Sequence, residues 1–211
     1  NVRDAGKKLV AGDPAGALGD AGAALGEGND SKLLGHVADA IMKDPKLSAA
    51  LAKIGIETKE DITDAGAAIG DMFQLVDHLG QQDWGAAIKD LGLVAQDLPD
   101  TLRSKIVEKL TTTMHLPPAL GEVLSGVIDA MGDPKVRDAV GDAFAAFKSG
   151  NPLEWIKGLA HAGEVISAQS PDLAVGFLDT LSKLPGSVGA FFGDHELNKA
   201  IVDSGSLTQD R

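Results

Sequence analysis

The sequence predicts an all-α fold, and three observations support that prediction. Apolar residues recur at helical spacing along most of the chain. Pairs such as Asp133-Pro134 and Asn151-Pro152 precede several of these stretches, and these residue types suit the first positions of a helix. Alternating apolar and polar runs, which are typical of strands, are scarce. We therefore expect about nine to eleven short helices, packed as a bundle or a short solenoid.

The stretch 132–152 shows this pattern most clearly. Asp133 can cap a helix that begins at Pro134, and Ser149-Gly150 can end it. Between these signals, one apolar stripe is formed by Val136, Ala139, Val140, Ala143, Phe144 and Phe147. We expect this stripe, and Phe144 above all, to be buried at the centre of the molecule.

The same start and stop signals place the remaining elements in order. Residues 2–28 form a Gly- and Ala-rich segment with a weak helical stripe. A capping box of Thr58 and Asp61 opens a long helix that runs towards Leu79. Residues 203–211 are expected to be a frayed tail. The other expected helices span 31–43, 45–55, 83–94, 99–110, 120–131, 152–166 and 171–184, with one or two more between 188 and 201.

Internal similarity suggests three diverged units within a single domain that spans 1–211. Residues 68–73 match residues 139–144, and Trp84 and Trp155 fall at the same offset. The expected units are 1–69, 70–140 and 141–201. A true repeat would place matched residues in matching environments. The alternative is that the matched positions carry similar residues only because helices commonly begin and end with the same residue types.

The acidic composition narrows the classes of partner. The chain has 211 residues and a formal net charge of −12, so it repels phosphate backbones and no nucleic-acid partner is expected. Anionic membranes are disfavoured at neutral pH, whereas acidic pH would weaken the repulsion and permit membrane contact. The absence of cysteine removes disulfides and thiolate chemistry. No oligomeric state follows from the sequence.

No motif indicates catalysis, and we expect a protein that is not an enzyme. The five histidines form no H-E-x-x-H zinc site. His161 and Glu164 lie three residues apart on one helix, a spacing more typical of solvated neighbours than of metal ligands. Phosphate-binding loops, dinucleotide-binding glycine motifs and nucleophile elbows are also absent. We therefore assign no catalytic residue, no cofactor and no metal.

Four aromatic residues are the candidates for contact with a partner or with lipid. Trp84 and Trp155 each follow a helix start, where they would either anchor the packing of a unit or lie at an exposed seam. Phe191 and Phe192 are adjacent, so both cannot face inward from one helix. This pair is the most membrane-suggestive part of the sequence.

The expected function is a non-enzymatic helical binding or interaction module with a protein partner. In its Gly-rich, acidic, Cys-free and Tyr-free composition, the chain resembles secreted bacterial substrates such as harpins and the translocator or effector proteins of plant-associated bacteria. The likeness covers no motif, so no functional residue is carried over. It implies secretion, with a cytoplasmic location as the alternative. A membrane-active toxin domain and a carrier of an apolar ligand between helices are the other two functions considered.

Overall fold

Helix boundaries in the structure follow the start signals in the sequence. A computed structural model describes residues 31–207, and this part of the chain is helical, without a strand. The predicted all-α class is confirmed. The helices are α1 (Ser31–Lys43), α2 (Pro45–Ala52), α3 (Lys59–Ala65), α4 (Ile69–Gly80), α5 (Trp84–Val94), α6 (Asp100–Thr113), α7 (Pro118–Val127), α8 (Pro134–Lys148), α9 (Pro152–Gln169), α10 (Pro171–Ser182), α11 (Gly186–Phe192) and α12 (His195–Leu207). Short 3-10 turns occupy Gly66–Ala68, Ala95–Asp97 and Ala130–Gly132.

Side-chain caps explain why the helices begin where they do. The Asp133 carboxylate accepts hydrogen bonds from two backbone N–H groups at the start of α8, and Asp44 does the same for α2. Asn151 caps α9 and Ser170 caps α10, in each case directly before a proline. Such caps satisfy N–H groups that have no partner within the helix. The predicted capping box of Thr58 is present at the start of α3.

One expected helix is divided, part of the expected tail is helical, and two segments lie outside the described residues. The helix expected from Thr58 to Leu79 is divided, because Gly66 has φ +52°, which cannot continue an α-helix. The tail expected from residue 203 is helical as far as Leu207, where the Ser206 hydroxyl donates to the Val202 carbonyl. The segment 2–28 and residues 208–211 lie outside the described part of the chain.

Helix α8 lies at the centre of the helix packing. It packs against α5 and against α9, and α4 packs against α5. Helices α12 and α10 both pack against α9, and α10 also contacts α7 and α11. Helix α6 pairs with α7, while α1, α2 and α3 pack together and reach α4 and α6. The buried residues form one continuous hydrophobic cluster across these helices.

Small residues let the central helices approach each other closely. A Cβ placed on Gly85 of α5 would lie 2.9 Å from the Ala145 Cβ of α8. One placed on Gly158 of α9 would lie 3.0 Å from the Ala143 Cα of α8. At the junction of α12 and α9, a Cβ on Gly205 would lie 2.2 Å from a backbone carbonyl oxygen. At these three positions a larger residue would force the helices apart.

The expected burial of Phe144 is confirmed, whereas the repeat stays a prediction. Phe144 is 1% exposed and lies beside the buried Val140, while Phe147 is half-buried. The matched positions agree in part. Ile88 and Leu159 are both buried, but Phe73 is half-buried where Phe144 is buried. The described residues therefore support a helical bundle without establishing the units 1–69, 70–140 and 141–201.

Candidate functional site

The structure brings the two tryptophans together around a third aromatic residue. The ring centroids of Trp84 and Phe147 lie 5.8 Å apart, with the planes nearly parallel at 24°. Those of Phe147 and Trp155 lie 4.5 Å apart, with the planes tilted by 59°. All three side chains are partly buried and pack against the core. This arrangement joins α5, α8 and α9, which supports the packing interpretation of the tryptophans over the binding one.

Phe191 and Phe192 differ in exposure. Their rings meet edge to face at 5.0 Å. Phe192 has no exposed surface, whereas Phe191 is partly buried. Phe192 lies beneath a partly open cavity between α10 and α12. In this conformation only Phe191 of the pair is accessible to a partner or to lipid.

A long concave surface lies between α6 and α7. The two helices are joined by four residues, a length that makes them antiparallel neighbours. The groove between them has a volume of about 660 Å³. We call it the α6–α7 groove; it is lined by Ser104, Val107, Glu108, Thr111, Thr112, His115, Leu116, Pro118, Gly121, Glu122 and Ser125. The α6 members are three or four residues apart, so they form one face of that helix.

The floor of the α6–α7 groove is apolar and its edges are polar. Val107 and Leu116 are buried beneath it, while Glu108 and Glu122 are exposed on its two sides. Gly121 permits the close helix contact, because a Cβ at this position would lie 2.9 Å from the Thr111 hydroxyl oxygen. An open groove with an apolar floor and a charged rim is the kind of surface that binds another element.

The α6–α7 groove carries negative charge because the nearby cations are engaged elsewhere. Lys105 Nζ lies 2.7 Å from a carboxylate oxygen of Asp61, which is outside the groove. Lys109 Nζ lies 3.8 Å from a carboxylate oxygen of Glu57, which is also outside it. The described part of the chain provides no ion-pair partner for Glu108 or Glu122. Two unneutralised carboxylates therefore flank the groove, one on each helix.

A smaller cavity of about 240 Å³ extends the α6–α7 groove at its far end. It shares Ser104, Val107 and Ser125 with the groove. There the Arg103 guanidinium pairs with Asp100 at 2.7 Å and also with Asp129. Arg103 is thus held by two carboxylates and leaves the negative character of the groove unchanged.

The α6–α7 groove was not predicted from the sequence. Most residues that line the groove are small polar residues and glutamates, a composition typical of a solvent-exposed helix face. One signal was present, because Ser104, Glu108 and Thr111 recur at helical spacing beside buried Val107. That spacing indicates a face but does not show that a second helix turns it into a groove.

A histidine–aspartate pair links α4 to α5. His78 Nδ1 lies 2.5 Å from Asp90 Oδ2. This hydrogen bond raises the pKa of His78, and burial raises the pKa of Asp90, with the histidine partly offsetting that rise. The pair therefore joins the two helices.

His161 and Glu164 approach each other only loosely. His161 Nδ1 lies 3.8 Å from a Glu164 carboxylate oxygen, and the His161 side chain is 65% exposed. Within the described range, no three His, Asp or Glu side chains are grouped as metal ligands would be. Over the same range, no helix combines the length and the apolar character needed to cross a membrane.

The chain matches no protein-family model, no curated protein and no solved structure.

Proposed function

We propose that this protein is a helical interaction module whose α6–α7 groove binds a cationic amphipathic helix of a partner protein. The observation that carries the proposal is the pair of unneutralised carboxylates, Glu108 and Glu122, on opposite sides of an apolar floor. An apolar ligand alone would not need charge on both sides. A helix with an apolar stripe between two rows of Lys or Arg matches the whole surface.

The length of the α6–α7 groove suits a helix. From Ser104 to Thr112 the groove follows eight residue steps of α6, which is about 12 Å at 1.5 Å per residue. That distance corresponds to about two turns of a bound helix. Such a helix would place apolar side chains at positions i, i+3 or i+4, and i+7 over Val107 and Leu116.

The charge of the α6–α7 groove favours a basic partner through both attraction and selection. The chain carries a net charge of −12, so a cationic helix is steered towards it and an anionic one is repelled. Because Lys105 and Lys109 pair with Asp61 and Glu57 outside the groove, they do not compete for Glu108. Binding should therefore weaken as salt concentration rises.

The remaining functional expectations come from composition alone. Secretion from a bacterium stays a prediction, as does an effector-like or translocator-like role. A membrane-active protein is the competing function, and it would use amphipathic helices to bind a bilayer in acid. The two functions make different demands, because a docking groove requires the folded protein, whereas membrane insertion requires its helices to separate.

A designed peptide tests the proposal. The probe is a labelled helical peptide of about four turns, with Leu at i, i+3 and i+7 and Lys on both sides of that stripe. We expect binding in the micromolar range by fluorescence anisotropy, about tenfold weaker for a scrambled peptide and for one with Glu in place of Lys. Equal binding of the three peptides would refute a charge-selective groove.

Vesicles distinguish the membrane alternative. Liposomes of phosphatidylcholine and phosphatidylglycerol, loaded with a dye, are mixed with the protein at pH 7 and at pH 5. The interaction-module proposal predicts no dye release at either pH. Release at pH 5 together with loss of helix packing, seen by near-UV circular dichroism, would favour the membrane-active function instead.

A further inference from the structure

The residues that precede α1 contain a short basic stretch. All three cations of residues 1–30, namely Arg3, Lys7 and Lys8, fall within residues 2–9. Asp4 is the one acidic residue of this stretch, so its net charge is +2 in a chain whose net charge is −12. Residues 2–9, which we call the basic segment, lie outside the part of the chain that the structure describes. Positive charge is thus concentrated at one place in the sequence before α1.

In a helical register, the basic segment has the pattern that suits the α6–α7 groove. Its apolar residues are spaced i, i+3 and i+7, which places them on one face of a helix: Val2, Ala5 and Leu9. At about 100° per residue, Arg3 and Lys7 fall on one side of that face, and Lys8 falls on the other. An apolar stripe with cations on both sides is the complement of a groove with a carboxylate on each side.

The length of the basic segment also matches the α6–α7 groove. From Val2 to Leu9 a helix rises about 10 Å, at 1.5 Å per residue. The groove follows α6 for about 12 Å, so two turns of helix fill it. Glu108 and Glu122 are exposed at its edges, and neither has an ion-pair partner among the residues that the structure describes. Both carboxylates are therefore available to cations of the segment.

The connection to α1 is long enough for the basic segment to reach the groove of the same chain. Helix α1 packs against α3, and α3 packs against α6. Because the axes of packed helices lie about 8–10 Å apart, α1 is within about 20 Å of α6. Residues 10–30, which connect Leu9 to Ser31, can span up to about 70 Å when extended. A contact within one chain is therefore sterically feasible.

We propose that the basic segment occupies the α6–α7 groove of its own chain and competes there with the partner helix, an inference that rests on the proposed function because it needs a groove that accepts a cationic helix. Lys8 would pair with one glutamate of the groove, and Arg3 and Lys7 with the other. A helix of two turns has little stability of its own, so a longer partner helix binds more tightly and displaces it. The segment then sets a threshold of affinity that a partner must exceed.

Charge reversal within the full chain tests this competition. The Lys-flanked peptide is titrated by fluorescence anisotropy against the wild type, against Lys7→Glu/Lys8→Glu, and against Lys157→Glu/Lys199→Glu, an equal charge change at exposed residues outside the groove. A tethered segment is present at an effective concentration on the order of millimolar. Lys7→Glu/Lys8→Glu should therefore strengthen peptide binding about fivefold, and the control pair less than about twofold. Equal strengthening by the two pairs would show that only net charge matters and would overturn the proposal.

The same titrations separate a failure of this proposal from a failure of the proposed function. If the peptide binds the wild type with charge selectivity and Lys7→Glu/Lys8→Glu does not change its affinity, the basic segment does not occupy the groove, although the interaction module stands. If the peptide binds none of the three proteins, the interaction module itself fails. Sedimentation velocity across a range of protein concentrations should show a monomer. A dimer that Lys7→Glu/Lys8→Glu abolishes would place the segment in the groove of a second copy and overturn the contact within one chain.

Discussion

Replacing Phe144 with Ala tests the packing of the central helix. Phe144 is 1% exposed and lies on α8, which packs between α5 and α9. Truncating a buried Phe to Ala lowers the free energy of unfolding by about 3–5 kcal/mol. Because both neighbouring helices already approach α8 closely at Gly85 and Gly158, they have little room to close over the cavity. We therefore expect a loss towards the upper end of this range.

This loss in the free energy of unfolding is a large part of the stability of the whole protein. Domains of this size unfold with about 5–15 kcal/mol, so Phe144→Ala would remove a substantial fraction. The midpoint of thermal unfolding should fall by about 6–20 °C, at roughly 2–4 °C for each kcal/mol. Urea titration followed by circular dichroism measures the change, with an unchanged slope showing that the denatured state is the same.

A neighbouring exposed residue provides the control. Asp142 is also on α8, and its carboxylate, which is 71% exposed, lies 2.8 Å from Lys89 Nζ. Asp142→Ala should cost less than about 1 kcal/mol, as is usual for exposed ion pairs. Similar small losses for Asp142→Ala and Phe144→Ala would mean that Phe144 is not in the core, and the description of α8 as the central helix would fail.

Two further predictions concern a titrating pair and two glycines. The hydrogen bond to Asp90 raises the pKa of His78 in the folded protein above the value of about 6.5 in the unfolded chain. The contribution of protonated His78 to the free energy of unfolding is therefore fully present below about pH 6.5 and is lost as pH rises through the folded-state pKa. The stability difference between the wild type and His78→Gln, up to about 1 kcal/mol by urea titration, should therefore shrink from pH 5.5 to pH 8.5, and a constant difference would contradict this. Gly205→Ala should destabilise by about 1–3 kcal/mol, because its Cβ would lie 2.2 Å from the Glu164 carbonyl oxygen. Gly176→Ala, with nothing within 4 Å of its Cβ, should instead stabilise by up to about 1 kcal/mol, and equal shifts in melting temperature would refute the close contact.

Local signals in the sequence were sufficient to place most helices. Asp133, Asn151 and Ser170 cap helices at their expected positions, because a cap depends only on residues two or three places along the chain. The same locality explains the error at Gly66. A glycine within a helical stripe is compatible with a continuous helix, so the sequence pattern alone does not show that φ is +52° at this residue.

The α6–α7 groove could not be predicted in the same way. It exists because two helices meet, and the charge on Glu108 stays unpaired because Lys105 and Lys109 pair with carboxylates outside the groove. Pairing between helices is a tertiary property that helical periodicity does not encode.

A charge-swap experiment tests the interaction-module proposal most directly. Affinity for the Lys-flanked peptide is measured with the wild type, with Glu108→Lys and with Asp203→Lys, an equal charge change at an exposed site outside the groove. The proposal predicts that Glu108→Lys weakens binding about tenfold, that Asp203→Lys has little effect, and that a peptide with Glu replacing the facing Lys restores binding to Glu108→Lys. Equal weakening by Glu108→Lys and Asp203→Lys, without rescue by the altered peptide, would show that the peptide responds to overall charge, and the groove would not be its binding site.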